Sequence, residues 1–222
     1  MFDIFTKEGL ISFLYTLPAL LFCLAIHEFA HAYTAYKLGD RSQKAMGRLT
    51  LNPLDHIDYM GAIFMLLFGF GWAKPVPVDD RKFKNPKVGM ALTALAGPVA
   101  NILAAMVGGF ILCAVIEFSP QFIFSKFGYY TVLMLQFYIS VNCSLAVFNL
   151  LPIPPLDGSK ILFVFLPDKW IYKFYQYEQY IYFGLMALLL FTNVLDVPLN
   201  FLFGKVYNFV MTICSYPFEL LA

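Results

Sequence analysis

The stretch Phe22-Cys23-Leu24-Ala25-Ile26-His27-Glu28-Phe29-Ala30-His31-Ala32-Tyr33 holds the residues best suited to chemistry. His27 and His31 are four apart in an apolar helical run, so they share one face, one turn apart. Two imidazoles placed this way can share one Zn²⁺. Glu28 borders the same face and can take a proton from a water held there. The plainer reading is that both histidines pair with neighbouring helices. The setting argues against it: a carboxylate and two imidazoles are expensive in hydrocarbon, and such groups point to a functional site.

A catalytic Zn²⁺ keeps three protein ligands and one open position, so a third ligand must come from elsewhere. His56 is the one other histidine. It sits in a polar loop and reads as structural or as a rim residue. Asp157 is the better candidate. It lies between the apolar runs Leu150–Leu156 and Ile161–Leu166, where an unpaired carboxylate is costly and a metal would compensate it. A helix cap near Gly158, or a pair with Lys160, is the alternative.

These side chains must be positioned by a membrane protein. Of 222 residues, 60% are hydrophobic and 13% charged, against about 25% charged in soluble domains. The net charge of +1 gives no sign of a nucleic-acid partner. Cys23, Cys113, Cys143 and Cys214 lie far apart in apolar runs and read as buried free thiols. Ala30-His31-Ala32 imitates a signal-peptide cleavage site. However, Asp3, Lys7 and Glu8 spoil the basic leader such a site needs, so the segment is expected to be retained.

The hydropathy pattern predicts an all-α polytopic protein of about five transmembrane helices, with a short re-entrant or extended segment near 59–78. The first helix runs from Leu10 to about Tyr36, with Pro18 placed to kink it and Gly39 to stop it. Tyr59–Trp72 is short for a span and carries three glycines. Lys74-Pro75-Val76-Pro77-Val78 suits an extended edge or a surface turn. Val88–Ile116 and Phe127–Leu151 are strong spans. Small residues in the former, Gly97 and Gly108-Gly109 among them, permit close helix contact. Gln179–Leu195 is a fourth span and Val197–Phe218 a weaker fifth. The chain reads as one domain, 1–222, with a motif-bearing core at about 10–161 and C-terminal helices at about 176–218.

Nine of the 15 Lys and Arg lie between Lys37 and Lys87. The positive-inside rule makes that region cytoplasmic. The first helix then runs inward, with its histidines near the cytoplasmic end. Asp157 reaches the same depth if Tyr59–Trp72 does not cross, and lands on the opposite side if it does.

Three motifs in this order, His27-Glu28-Phe29-Ala30-His31, Gly97-Pro98-x-x-Asn101 and Asn149…Pro152…Asp157-Gly158, resemble the site-2 proteases. These are zinc metalloproteases that cut within the membrane. Asn52-Pro53 and Gly71-Trp72-Ala73-Lys74-Pro75-Val76-Pro77 resemble the compact prokaryotic members, which have no PDZ or other regulatory domain. The resemblance covers roughly 22–161. It implies one Zn²⁺ on His27, His31 and Asp157, with Glu28 as general base and then acid. Asn149 matches the family asparagine whose amide holds substrate backbone or the developing oxyanion; an interhelical hydrogen bond is its alternative role. Asn101 reads as a structural link.

The expected function is zinc-dependent hydrolysis of peptide bonds in or near transmembrane segments of membrane-tethered substrates, regulators or signal-peptide remnants. The expected location is the cell membrane, multi-pass, with the active site toward the cytoplasm. The rival readings are a metal-binding membrane transporter that uses the same His/Glu/Asp cluster, and a zinc protease of another membrane family such as a prenyl-protein processor.

Overall fold

The computed structural model describes residues 6–68 and 74–220. Gly71, Trp72 and Ala73 of the predicted motif lie outside them. Among the described residues the chain is helical with no β-strand, and a single bridge falls at Ile57. α1 spans Lys7–Leu38; the Thr6 hydroxyl caps its first turn, and Gly39, at φ 122°, ends it where the sequence predicts. At 32 residues it is about 48 Å long, more than the ~30 Å hydrocarbon core. Pro18 lies inside it without ending it. A one-turn helix, α2 (Ser42–Ala45), follows, and α3 covers Tyr59–Phe68. The described part of α3 is 10 residues, about 15 Å or about half the hydrocarbon core; Gly69 to Trp72 of the predicted short segment lie outside the described residues. The residues from Lys74 to Asp79 belong to no helix or strand.

α4 (Pro86–Phe118) is the centre of the bundle. After the four-residue α5 (Pro120–Ile123), α6 covers Lys126–Asn149 and α7 Asp157–Leu162. α8 spans Asp168–Phe191 and α9 Asp196–Glu219. α8 begins well before the predicted Gln179. Its opening turns are polar and aromatic, which helix geometry accepts but a hydropathy reading does not detect. α4 packs against α1, α6, α7 and α9. Its buried face explains why: Gly89, Thr93, Gly97, Asn101, Ala105 and Gly109 repeat every fourth residue and are all buried. Small side chains let neighbouring backbones come close.

The outer face of α4 is the reverse. Leu92, Leu103, Val107 and Ile111 are large, apolar and exposed, Leu103 at 57% and Val107 at 59%. A surface like this is solvated by lipid rather than water. α4, α6 and α9 are each long and apolar enough to cross a membrane. The chain is thus an all-α polytopic membrane protein. Its apolar core joins Ala105 and Leu112 of α4, Ile139 and Cys143 of α6, and Val210 and Cys214 of α9. All four cysteines are free, three of them buried; Cys113 is half-buried rather than buried.

Candidate metal centre

α1 delivers two histidines to one point. His27 Nε2 and His31 Nε2 are 2.9 Å apart, with the rings edge to face. Asp157, the first residue of α7, brings Oδ2 to 3.2 Å from the former and 3.1 Å from the latter. All three residues are buried. The proline-rich turn between α6 and α7 leaves Asp157 beside the histidines. Lys160 Nζ lies 3.7 Å from the other carboxylate oxygen. The Lys160 pair and the approach to the histidines therefore coexist, on opposite oxygens.

The orientation of each imidazole is fixed from behind. His27 Nδ1 is 2.6 Å from Asn101 Oδ1, and His31 Nδ1 is 2.7 Å from the Thr93 carbonyl oxygen. Both partners accept only, so each Nδ1 carries a hydrogen, and each ring in its neutral form presents a bare Nε2. In that form two nitrogen lone pairs and a carboxylate oxygen converge within 4.8 Å. Such a set is repulsive unless a cation sits among its members. A His₂-carboxylate donor set suits Zn²⁺. On chemistry and orientation the residues fit the ion.

α4 forms the back wall. A Cβ on Gly97 would come within 2.5 Å of His31 Nε2 and 2.6 Å of His27 Cε1. A glycine is therefore needed here for close approach. Glu28 is half-buried and within electrostatic reach of His31. Asn149 turns its amide to its own helix: its Nδ2 donates to Leu145 O, one turn back, at 3.0 Å. His56 also stands apart. It is buried and its Nε2 donates to Thr50 O at 2.9 Å, which makes it a loop tie. Asn101, read from sequence as a structural link, does join α4 to α1 and α6, through Cys23 O and Asn142 Oδ1, and it also touches a candidate ligand directly. The sequence held no sign of the Thr93 contact, because a backbone carbonyl carries no residue signature.

A second buried polar knot sits just past α1. Asp40 is fully buried. It accepts from Ser42 N–H, Ser42 Oγ, Gln43 Nε2, Asp79 N–H and Lys82 Nζ. Burial alone raises its pKa, but the hydrogen bonds from Asp79 N–H, Ser42, Lys82 and Gln43 outweigh it and hold the carboxyl well below the usual carboxylate range. The knot ties the end of the histidine-bearing helix to the segment leading into α4.

A helical membrane bundle that brings the two histidines of a His-Glu-x-x-His helix together with a buried aspartate from another helix defines the class: a membrane metalloprotease. Comparison with known proteins agrees. The model of peptidase family M50 matches residues 15–134 and 124–192. YwhC of Bacillus subtilis strain 168, a candidate zinc metalloprotease by name, is 41% identical over 166 residues, 75% of each chain. Rip2 of Mycolicibacterium smegmatis, named likewise, is 28% identical over 151 residues, 66% of this chain and 55% of its own. MJ0611 of Methanocaldococcus jannaschii, also so named, is 34% identical over 137 residues, 61% of this chain and 62% of its own. No solved structure matches. The chain belongs to peptidase family M50, the site-2 protease family, and is a zinc metalloprotease of that family.

Proposed function

We propose that this protein hydrolyses peptide bonds in or beside transmembrane segments of membrane-tethered substrates. The observation that carries the reading is the convergence of His27 Nε2, His31 Nε2 and Asp157 Oδ2, each buried, inside a helical membrane bundle. On this reading those three residues hold one zinc ion. Bound zinc supplies a Lewis acid that acidifies water and polarises the scissile carbonyl. Glu28 takes the proton from the attacking water and returns it to the leaving amine. Asn101 and Thr93 hold the two imidazoles in the binding tautomer. Asn149 has two amide hydrogens. One goes to Leu145 O, which leaves the other for a substrate carbonyl or the developing oxyanion.

A substrate helix hides its carbonyls in its own hydrogen bonds, so the cut segment must be extended. The chain from Lys74 to Val78 is proposed to pair with it along an edge. The wealth of positive charge from Lys37 to Lys87 supports a cell-membrane protein whose active site faces the cytoplasm. The chain is proposed to act as one domain throughout 1–222.

Cells carrying the wild type and Glu28→Gln are compared for new N-termini of membrane proteins and for zinc content of the protein. Termini within or beside transmembrane segments should appear with the wild type alone, with zinc in both. Identical termini and altered metal flux would instead support transport by the same cluster.

A further inference from the structure

Asn142 of α6 lies outside the metal centre but reaches it through one intermediary. It is fully buried, as is Asn101. An asparagine amide has a donor end and an acceptor end, and a flip exchanges them. Asn101 is held one way round. Its Nδ2 donates to Asn142 Oδ1 at 2.7 Å and to Cys23 O at 3.2 Å, so its Oδ1 is the end left for His27 Nδ1. Asn142 is oriented in turn, because its Nδ2 donates to Tyr138 O and to Cys23 Sγ, both at 2.9 Å. The chain of amides therefore has a direction, set in α6, passed through α4 and delivered to α1.

A flipped Asn101 would turn an N–H toward His27 Nδ1. The imidazole would then accept at Nδ1 and carry its proton on Nε2, the atom that faces Asp157 and His31. We infer that Asn142 is a positioning residue for the metal: through Asn101 it keeps His27 in the tautomer whose Nε2 can bind. The inference rests on the reading of His27, His31 and Asp157 as zinc ligands. Of the two acceptors that orient Asn101, Asn142 Oδ1 makes the shorter bond and is the one a side-chain change can remove. A role confined to tying α6 to its neighbours would affect stability but not metal binding.

The full-length protein in detergent is compared with Asn142→Leu and Asn142→Asp. Leucine is similar in size and offers no acceptor. A buried aspartic acid stays neutral, and its C=O and O–H reproduce the acceptor and one donor of the amide. Zinc affinity is read by competition with a chromophoric chelator, ligand geometry by the visible bands of the Co²⁺-loaded protein, and stability by thermal unfolding of the metal-free protein. Asn142→Leu should weaken zinc about tenfold, the lower end for partners behind a ligand, and alter the Co²⁺ bands. Asn142→Asp should restore most of both. If the leucine variant fails to fold, Asn142→Ala, which withdraws the acceptor and adds no bulk, takes its place. Wild-type zinc affinity and Co²⁺ bands without the acceptor would overturn the inference. So would equal loss in Asn142→Asp and Asn142→Leu. A wild type that binds no zinc would overturn the ligand reading itself, and is told apart because all the variants then behave alike.

Discussion

Gly97 of α4 lies directly against His31 of α1, so close that a methyl group at 97 would sit 2.5 Å from His31 Nε2. By helix propensity alone, Gly97→Ala should stabilise α4 by about 1 kcal/mol. The contact reverses that expectation. The added carbon must push the imidazoles away from Asp157, and a misplacement of about 1 Å costs on the order of 100-fold in rate. Gly97→Ala should lower both zinc content and cleavage, while circular dichroism still reports a helical protein. Undiminished cleavage would mean that the histidines can move without cost.

The two oxygens of Asp157 make separable predictions. Oδ2 faces the histidines and Oδ1 faces Lys160 at 3.7 Å. Asp157→Asn removes the charge the metal needs and should abolish tight zinc binding. Lys160→Met should keep zinc and cleavage, because Lys160 meets, at 3.7 Å, the carboxylate oxygen that does not face the histidines. Zinc analysis of the two purified variants decides between Asp157 as a ligand and Asp157 as a partner of Lys160.

Much of this site was legible in the sequence, since spacing of four fixes a shared helical face whatever surrounds it. Asp157 was legible too, as a carboxylate stranded between apolar runs. Its meeting with the histidines requires α1 and α6 to run the same way. That holds when α4 crosses back and Tyr59–Trp72 does not cross. The described part of α3 has 10 residues, and the rest of Tyr59–Trp72 lies outside the described residues; the approach of Asp157 to both histidines is what the non-crossing reading requires. Asn101, Asn142 and Asp40 were not legible in their roles. A polar residue in or beside an apolar helix signals that some partner exists, but the partner's identity depends on which helices touch. That information lies in the four-residue small-side-chain repeat of α4, which sequence alone does not assign to one neighbour or another.

Asp40 sets a pH dependence of its own. Its folded pKa lies below the unfolded value of about 3.9. The stability it contributes is therefore present above about pH 4 and is lost as pH falls through the folded value. Asp40→Asn turns an amide N–H toward donors such as Asp79 N–H and Gln43 Nε2. It should cost about 1–3 kcal/mol at neutral pH. The gap between wild type and variant should close as the pH drops below about 4. Thermal unfolding in detergent at pH 7 and at about pH 3 measures it. A gap that widens on acidification would reverse the sign assigned here.

The same knot gives the segment from Lys74 to Asp79 a direction. Pro77 O accepts from Gln43 Nε2 and Asp79 N–H donates to Asp40, so the odd-numbered residues spend their backbone groups on the loop after α1. Lys74 N–H is taken by His56 O; in an extended chain the backbone groups of Val76 and Val78 turn to the edge opposite those of Pro77 and Asp79. Pro75 and Pro77 have no N–H, so Val76 supplies the sole donor from 75–77. Val76→Pro removes that donor without touching the metal ligands. It should lower kcat/KM about tenfold, the equivalent of one hydrogen bond of about 1.4 kcal/mol, and leave zinc content unchanged. Val76→Ala keeps the N–H and should cleave much as the wild type does. Equal cleavage by the proline and alanine variants would show that substrate does not pair along this edge, and that extension of the substrate is enforced elsewhere.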